Sequence, residues 1–214
     1  MNVQEATTRR LPDLKERHLP ENCRETINTI LKETYGYEQF RNLEIYDDLS
    51  KGKEKLCISQ GQLIENVILE AEKAWKGETQ VDNILLTAPT GSGKSLLFQL
   101  PAIYLGKEYN LLTIVVSPLK ALIVDQVESL QELGYMRVAY ASSDLSPEQK
   151  MEVYRQVREG EIDLFYLSPE LLLSYDIKHF VGERRIGLVV VDEAHTVTTW
   201  GKEFRVDYWF LGRY

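Results

Sequence analysis

The feature that most constrains this chain is the glycine-rich loop APTGSGKS at residues 88–95. The loop follows a short apolar run at 83–87 and precedes the apolar, helix-like segment 95–100. Gly91 and Gly93 lack a Cβ, so the backbone can curl and point several N–H groups at phosphate oxygens. The helix that follows directs its positive end at the same place. The pattern therefore predicts a strand, a phosphate-binding turn and a helix, in that order.

Two side chains at the end of this loop suit a nucleoside triphosphate. Lys94 supplies a mobile ammonium for the outer phosphates, and the Ser95 hydroxyl is suited to ligate Mg²⁺. A structural glycine-rich turn with a chance Lys and Ser is the alternative, and the flanking strand and helix patterns disfavour it. The residues predicted to bind the nucleotide phosphates are Thr90, Gly91, Ser92, Gly93, Lys94 and Ser95.

A pair of adjacent carboxylates, Asp192 and Glu193, ends the apolar, β-branched run 186–191. Such a run suits a strand that is covered on both faces in a parallel sheet. Asp192 can hold Mg²⁺ through its water shell, and Glu193 can orient and deprotonate an attacking water. An acidic pair seen alone is more often a helix N-cap signal. Its occurrence downstream of a phosphate loop favours a site that hydrolyses ATP with Mg²⁺.

Composition narrows the class of protein. The 214 residues are 43% hydrophobic, which is enough for one sizeable domain with a core. The net charge of −8 has the wrong sign for binding nucleic acid by charge alone, so any such contact must be local. Cys23 and Cys57 match no metal or redox spacing, no apolar stretch reaches the length of a membrane span, and the polar N-terminus is no secretion signal. We therefore expect a cytoplasmic protein with no membrane partner, in a reducing intracellular setting.

Strands and helices are predicted to alternate along the chain. Strands are expected at 83–87, 111–116, 137–140, 163–167 and 186–191, and helices at 21–34, 60–75, 119–133, 147–158 and 169–174. This alternation predicts an α/β fold whose parallel sheet is sandwiched by helices, with ligands at the carboxyl ends of the strands. We expect a mobile arm over 1–20, a helical segment over 21–80 and the main domain over 81–214.

Further motifs resemble the first RecA-like motor domain of DEAH-box RecQ helicases. They are SPLKAL at 117–122, DQV at 125–127, LSPE at 167–170 and DEAH at 192–195, followed by an aromatic-rich loop at 200–208. The resemblance implies a RecA-like P-loop NTPase domain of an ATP-dependent DNA helicase that moves 3′ to 5′. It implies catalytic roles for Lys94, Asp192, Glu193 and His195, and DNA contacts from Ser117, Lys120 and Ser168. His195 would link the site to a next domain, although a lone histidine there could instead be a packed core residue.

The aromatic-rich loop after the DEAH segment has two interpretations. Trp200, Phe204 and Tyr208 are evenly spaced by four residues, so they could form the buried stripe of a helix. Gly201 interrupts that stripe and charged residues crowd it, which favours flat side chains stacking on bases. The family usually has His and Pro where Lys202 and Val206 stand, so the chain is a divergent relative. The resemblance implies DNA contacts from Trp200, Lys202 and Phe204, and a nucleotide-sensing role for Arg205.

Adenine recognition in RecQ helicases uses a run like FGYxxFRPGQ, and this chain has YGYEQFR at 35–41 without the glutamine. The stretch 42–59 resembles an insertion, after which Gln62 is expected to supply the missing amide, with Gln60 as its rival. If the insertion loops out, Tyr37 and Arg41 can sandwich the adenine while Gln62 bonds its polar edge. The alternative for Tyr37 and Arg41 is a surface turn.

Helicases of this type pair two RecA-like domains around ATP, and the second domain supplies arginines to the transition state. We expect this chain to stop before that second domain, which would then be its missing partner, and to hydrolyse ATP slowly alone. Two alternatives stay open. One is an RNA helicase or a translocase subunit of a defence or restriction system. The other is a non-catalytic nucleotide-binding scaffold, which would not need Lys94, Ser95, Asp192 and Glu193 together.

Overall fold

The computed structural model describes residues 17–46, 55–86 and 91–193. The described residues fall into two units that divide between Tyr104 and Leu105. No helix in these three ranges is long and apolar enough to cross a membrane. The expected arm over 1–20 and the expected boundary at residue 80 stay predictions.

The first unit is built from helices and one antiparallel hairpin. Its elements are α1 (Glu21–Tyr35), β1 (Asn42–Tyr46), β2 (Lys55–Ser59), α2 (Gln60–Trp75) and the first turns of α3 (Leu96–Tyr109). Helix α1 buries Ile27, Ile30 and Leu31, which lie on one face at helical spacing. It ends at Gly36, whose φ of 69° is the left-handed conformation that glycine adopts without a Cβ penalty. Helix α2 begins where the Ser59 side chain accepts a hydrogen bond from the N–H of Gly61.

The insertion at 42–59 contains the hairpin of β1 and β2. The two strands pair antiparallel in continuous register, from Asn42 opposite Ser59 to Tyr46 opposite Lys55. Because the register begins at the first residue of β1 and the last residue of β2, the two ends of the hairpin are neighbours in space. The hairpin therefore brings Arg41 next to Gln60, where the N–H of Gln60 donates to the Arg41 carbonyl oxygen at 2.9 Å.

A buried carboxylate, Glu70 on α2, fixes the chain on both sides of that helix. Its oxygens accept hydrogen bonds from Arg17 at 2.5 Å, from Lys73 at 3.0 Å and from the backbone N–H of Asp82 at 2.9 Å. Burial raises the pKa of the Glu70 carboxyl, but these three donors together outweigh burial and hold its pKa below the ordinary value. Glu70 is therefore a charged anchor for the segments that flank α2.

The second unit is a four-stranded parallel sheet with helices on both faces. Its strands are β3 (Leu112–Val116), β4 (Val138–Ala141), β5 (Leu164–Leu167) and β6 (Ile186–Val191), in the order β4-β5-β3-β6. The connecting helices are α4 (Lys120–Glu132), α5 (Pro147–Arg158), α6 (Pro169–Ser174) and α7 (Ile177–Val181). The α/β fold class is therefore confirmed, and β3, β5 and β6 lie within a residue of their predicted bounds.

Alternation along the strands divides the core between the two faces of the sheet. On one face, Ile114 and Phe165 belong to an apolar cluster that includes Tyr154 of α5 and Phe180 of α7. On the other face lies Tyr166, the next residue of β5, whose hydroxyl bonds to a side chain of α4. Burying each large apolar side chain contributes roughly 1.5–3 kcal/mol, so both helical layers hold the sheet in place.

An ion cluster lies at the amino end of the sheet. Asp163, the residue before β5, binds Arg137 through two bonds of 2.6 and 2.8 Å and Arg184 at 2.9 Å, and it accepts from the Tyr135 hydroxyl at 3.1 Å. A Cβ on Gly106 would lie 2.4 Å from the Asp163 carboxyl carbon, so only glycine permits this approach of α3. This end of the sheet is stabilised by charge, and the carboxyl ends of the strands carry the candidate sites.

The prediction of a strand at 83–87 is wrong for the part of this stretch that the structure describes, residues 83–86. Residues 81–86 have no regular secondary structure, and Leu85 is 84% exposed. An apolar run becomes a strand only where its backbone finds partners, which composition does not encode. Thr87 lies outside the described residues.

Candidate functional site

The described part of the glycine-rich loop, from Gly91 to Ser95, has a left-handed backbone at both of its glycines. Gly91 and Gly93 have φ values of 79° and 80°, a left-handed conformation that strains any residue with a Cβ. The turn at Lys94 and Ser95 leads into α3, since the N–H of Gln99 donates to the Ser95 carbonyl oxygen at 2.9 Å. The loop therefore opens at a helix N-terminus, where the macrodipole favours an anion.

One side chain in this loop is a donor without an acceptor. The Ser92 hydroxyl is buried and has no hydrogen-bond partner among the residues that the structure describes. A buried polar group without a partner costs free energy, and a phosphate oxygen would supply the missing acceptor. The loop therefore fits a phosphate group by its chemistry as well as by its backbone.

Gln60, the first residue of α2, contacts the same loop from the side. Its Nε2 lies 3.3 Å from the carbonyl oxygen of Ser92 and 3.5 Å from that of Gly93. A Cβ on Gly93 would come within 2.7 Å of that nitrogen, so a larger residue there would have to displace the end of the Gln60 side chain as well as adopt a strained φ. The Oε1 of Gln60 accepts from the backbone N–H of Arg41 at 3.2 Å. Gln60 therefore joins the segment that carries Tyr37 and Arg41 to the phosphate loop.

Gln62, which the sequence favoured for adenine recognition, has a different partner. Its Nε2 donates to the backbone carbonyl of Arg17 at 2.7 Å. The geometry consequently favours its rival Gln60, and the reason is the hairpin, which removes residues 42–59 from the spacing that the motif requires. The nucleotide role of either glutamine stays a prediction.

Tyr37 and Arg41 lie close together on the segment between α1 and β1. The guanidinium carbon of Arg41 is 6.0 Å from the Tyr37 ring centre, and Tyr37 is 49% exposed. The Tyr37 ring also stacks on Tyr35, with ring centres 6.4 Å apart and planes 13° from parallel. An exposed aromatic face beside a guanidinium can hold a flat, electron-rich ring, which suits the predicted adenine contact.

The carboxylate pair lies in the second unit, directly after β6. The N–H of Asp192 donates to the Val116 carbonyl oxygen at 2.9 Å, which continues the pairing of β6 with β3. The Asp192 Oδ1 accepts from the N–H of Glu193 at 2.9 Å, and its Oδ2 accepts from the Nε2 of Gln126 at 3.4 Å. Strand β6 is the edge of the described sheet and is only partly buried there, so the expectation of a strand covered on both faces is not met within the described residues. The sheet still places both carboxylates at the strand end where ligands bind in such folds.

The backbone of Glu193 is in a conformation that is unfavourable for this residue. Its φ is 50°, in the left-handed region where a side chain with a Cβ is strained. Such strain costs roughly 1–3 kcal/mol and concentrates at functional positions. Glu193 is one of two non-glycine residues in the described ranges with positive φ, the other being Asn110.

Each unit by itself offers an oxygen of the kind that Mg²⁺ prefers, a hydroxyl on Ser95 in the first unit and a carboxylate on Asp192 in the second. Mg²⁺ is commonly held by one or two protein oxygens together with phosphate oxygens and water.

Two serines predicted to contact DNA lie at the carboxyl ends of adjacent strands. Ser117 follows β3 and Ser168 follows β5, and the N–H of Ser117 donates to the Leu167 carbonyl oxygen at 3.2 Å. Each serine is 1% exposed, and neither hydroxyl has a hydrogen-bond partner within the described part of the chain. The pair supplies two polar groups that the described part of the chain leaves unsatisfied.

Lys120, the third predicted DNA contact described by the structure, begins α4. Its ammonium bonds to the Asp144 carboxylate at 2.9 Å and to the Ser143 hydroxyl, both in the loop after β4. The hydrogen bond from Lys120 holds the pKa of Asp144 below its ordinary value. Sequence reasoning missed Asp144, because the contact joins the start of α4 to a loop 24 residues further along the chain.

Several predicted site residues lie outside the described residues, and their roles stay predictions: Thr90, His195, Trp200, Lys202, Phe204 and Arg205. Sequence reasoning also gave no role to Gln126, although the sequence carries a signal for it. Gln126 lies on the buried stripe of α4 with Ile123, Val127 and Leu130, where a polar side chain needs a partner. Its amide bonds to Asp192 on one side and to the Tyr166 hydroxyl on the other.

Known proteins with similar sequences are helicases. The sequence profile of the DEAD/DEAH box helicase family matches residues 62–211. The chain is 30% identical over 187 residues to the ATP-dependent DNA helicase RecQ of Haemophilus influenzae, an alignment that covers 87% of this chain and 25% of that relative. It is 34% identical over 191 residues to the RecQ helicase of Synechocystis, covering 88% of this chain and 33% of the relative.

A plant protein with a similar sequence is also a DNA helicase. The chain is 34% identical over 185 residues to the ATP-dependent DNA helicase Q-like 5 of Arabidopsis thaliana, covering 86% of this chain and 17% of the relative. The chain thus spans a third or less of the length of these three relatives. The profile match includes the phosphate loop, the buried serines and the carboxylate pair, and it extends over most of the sequence. The chain belongs to the DEAD/DEAH box helicase family, as a RecQ-like member.

Proposed function

We propose that this chain is the ATP-binding motor part of an ATP-dependent DNA helicase. The observation that carries the proposal is the carboxylate pair Asp192 and Glu193 at the carboxyl end of β6, in a chain that also has a phosphate loop opening onto α3. Parallel α/β sheets bind their ligands at this end of the strands. A scaffold without catalysis would not require a strained glutamate at that position.

Each residue has a defined part in ATP hydrolysis. Lys94 binds the outer phosphates, while Ser95 and Asp192 provide oxygens for Mg²⁺, which neutralises phosphate charge when it is bound. Glu193 orients a water molecule for attack on the terminal phosphorus and accepts its proton, as the bond to the departing diphosphate breaks. His195 and Arg205 complete the predicted set as a link to the next domain and as a nucleotide sensor.

The base of the nucleotide is proposed to lie against Tyr37 and Arg41. The exposed Tyr37 ring and the neighbouring guanidinium support this assignment. We assign the amide of this subsite to Gln60, since it contacts both the Arg41 backbone and the phosphate loop. Replacing Gln60 by Ala should weaken binding of a fluorescent ATP analogue about tenfold, whereas Gln62→Ala, the matched control, should leave it unchanged. Equal weakening in both variants would contradict the assignment to Gln60.

The DNA strand is proposed to run along the carboxyl ends of β3 and β5. Lys120 offers a part-exposed ammonium to phosphate oxygens on a chain with a net charge of −8, whereas the Ser117 and Ser168 hydroxyls are buried and are proposed as contacts on the RecQ resemblance alone. Trp200, Lys202 and Phe204 are proposed to add base stacking and one further cation. Movement from 3′ to 5′ is the polarity that the RecQ resemblance implies.

The test is ATP hydrolysis by the purified full-length gene product, which would include the second motor domain, with single-stranded DNA, with RNA and with neither. DNA is expected to stimulate turnover more than RNA does, and Glu193→Gln is expected to lower turnover at least about a hundredfold while nucleotide binding persists. Equal stimulation by RNA would favour an RNA helicase. Nucleotide binding without turnover, in a wild-type protein that responds to neither nucleic acid, would refute the motor function and favour a scaffold.

A further inference from the structure

A chain of hydrogen bonds through the second unit ends on the carboxylate of Asp192. The Tyr166 hydroxyl of β5 lies 3.0 Å from the Oε1 of Gln126, and the Nε2 of Gln126 lies 3.4 Å from the Oδ2 of Asp192. Tyr166 is fully buried and Gln126 is 8% exposed. Because little water can reach either side chain, these contacts are not readily exchanged for bonds to solvent.

The chemistry of the three groups fixes the direction of this chain. An ionised carboxylate only accepts hydrogen bonds, so the amide nitrogen of Gln126 must face Asp192. The amide oxygen then faces Tyr166, whose hydroxyl must donate to it. A rotated amide would set two acceptors against each other at Asp192. The Tyr166 hydroxyl therefore selects the orientation in which Gln126 can donate.

Two donors together define the plane of the Asp192 carboxylate. The N–H of Glu193 binds Oδ1 at 2.9 Å, and Gln126 binds Oδ2 from helix α4. A carboxylate that receives one donor on each oxygen is restricted in rotation about its side-chain torsion. Partners of this kind orient a metal-binding carboxylate and tune its affinity for the metal.

The position of Gln126 on its helix argues against simple packing. Its neighbours on the buried stripe, Ile123, Val127 and Leu130, are apolar, and an apolar residue would fill this place without the cost of burying an amide. Tyr166 and Asp192 lie on either side of Gln126, and each forms a hydrogen bond with its amide. The arrangement is explained if the orientation of Asp192 requires it.

We propose that Gln126 is a positioning residue for Asp192, and that Tyr166 acts on Asp192 through Gln126. The proposal rests on the proposed function, in which Asp192 provides an oxygen for nucleotide-bound Mg²⁺. Loss of either side chain allows the carboxylate to rotate, so metal affinity falls while the fold persists.

The test measures the affinity of the protein for Mn²⁺, a paramagnetic substitute for Mg²⁺. Electron paramagnetic resonance reports the bound Mn²⁺ in the presence of a non-hydrolysable ATP analogue. Tyr166→Phe removes the hydroxyl that starts this series of hydrogen bonds, and it should raise the Kd for Mn²⁺ about three- to tenfold. Gln126→Met keeps the length of the side chain but removes the amide, and it should raise the Kd for Mn²⁺ about tenfold or more. Because Tyr166 acts through Gln126, the double variant should match Gln126→Met alone.

Tyr154→Phe is the matched control, because Tyr154 is also a buried tyrosine of the second unit but belongs to the apolar cluster on the opposite face of the sheet. Its Kd for Mn²⁺ should equal that of the wild type. Wild-type affinity in both Tyr166→Phe and Gln126→Met would overturn the proposal, and so would additive effects in the double variant. Asp192→Asn tests the proposed function separately, since unchanged Mn²⁺ binding in that variant would remove Asp192 from the metal site altogether.

Discussion

Replacing Asp163 by Ala removes the centre of the ion cluster at the amino end of the sheet. The Asp163 and Arg184 side chains are only 3% and 5% exposed, and the other arginine of the cluster, Arg137, is 46% exposed. Burial lowers the pKa of Arg184 and the Asp163 carboxylate acts against that effect, so the two groups stabilise each other's charge. The substitution therefore leaves one buried guanidinium without its counter-ion.

The size of the stability loss depends on the hydrogen bonds that Arg184 keeps after the substitution. Removing one partner of a buried ion pair costs about 3–5 kcal/mol of unfolding free energy. Arg184 keeps hydrogen bonds to the carbonyl oxygens of Val157 and Ile162, and half-exposed Arg137 can be hydrated, so we expect the lower end of this range. A loss of about 3 kcal/mol corresponds to a fall in Tm of roughly 6–12 °C for a chain of this size.

Urea unfolding followed by circular dichroism measures this effect, with thermal melting as a second readout. The control is Glu152→Gln, which removes a carboxylate from an exposed pair with Arg155 and should leave the midpoint unchanged. A second variant, Asp163→Ala combined with Arg184→Met, removes the stranded charge and should recover part of the loss. If Asp163→Ala is as stable as the wild type, or if the double variant is less stable than the single one, the electrostatic argument is refuted.

Three other predictions follow from local features. Glu193→Gly should raise the unfolding free energy by about 0.5–1 kcal/mol, because glycine accepts the φ of 50°, and it should abolish ATP turnover. Thermal melting would measure the first effect and an ATPase assay the second. An unchanged Tm would show that the backbone of Glu193 is not strained. The pKa of Glu70 is lower in the folded protein than in the unfolded chain, so its stabilising effect is present above the unfolded pKa and is lost as the pH falls through the folded pKa. Urea midpoints of the wild type should therefore fall more steeply below about pH 5 than those of Glu70→Gln, and parallel curves would contradict this reasoning. Asp144→Asn should strengthen single-stranded DNA binding about two- to fivefold at low salt, because Lys120 loses a competing anion, and fluorescence anisotropy would measure the change. In a protein that already carries Lys120→Ala, Asp144→Asn should have no effect on binding.

The parallel sheet could be predicted from the sequence because each strand is short, apolar and separated from the next by a helical pattern. Strand β6 and helix α5 have the predicted bounds, since Asp192 and the Ser146 capping box mark them in the sequence. The run at 83–87 has the same composition, yet its described part is exposed and irregular. Apolar composition records the tendency to be buried, whereas pairing depends on which backbone is adjacent.

The candidate site was predictable where its residues adjoin one another in sequence. The glycines of the phosphate loop and the carboxylates after β6 follow from local chemistry, as their φ angles and hydrogen bonds illustrate. Gln126, Tyr166 and Asp144 could not be assigned roles in the same way, because each acts through a partner that is distant in the chain. Their contacts exist only after the sheet has brought β5, β6 and the loop after β4 together.

The hairpin of β1 and β2 has a consequence for how this site can change over evolution. Because Asn42 pairs with Ser59, the distance between Arg41 and Gln60 does not depend on how many residues separate Tyr46 from Lys55. Lineages can therefore lengthen or shorten that stretch while the two ends of the motif stay adjacent in space. A search that demands fixed spacing would discard such relatives, whereas one that allows a paired insertion of any length would retain them.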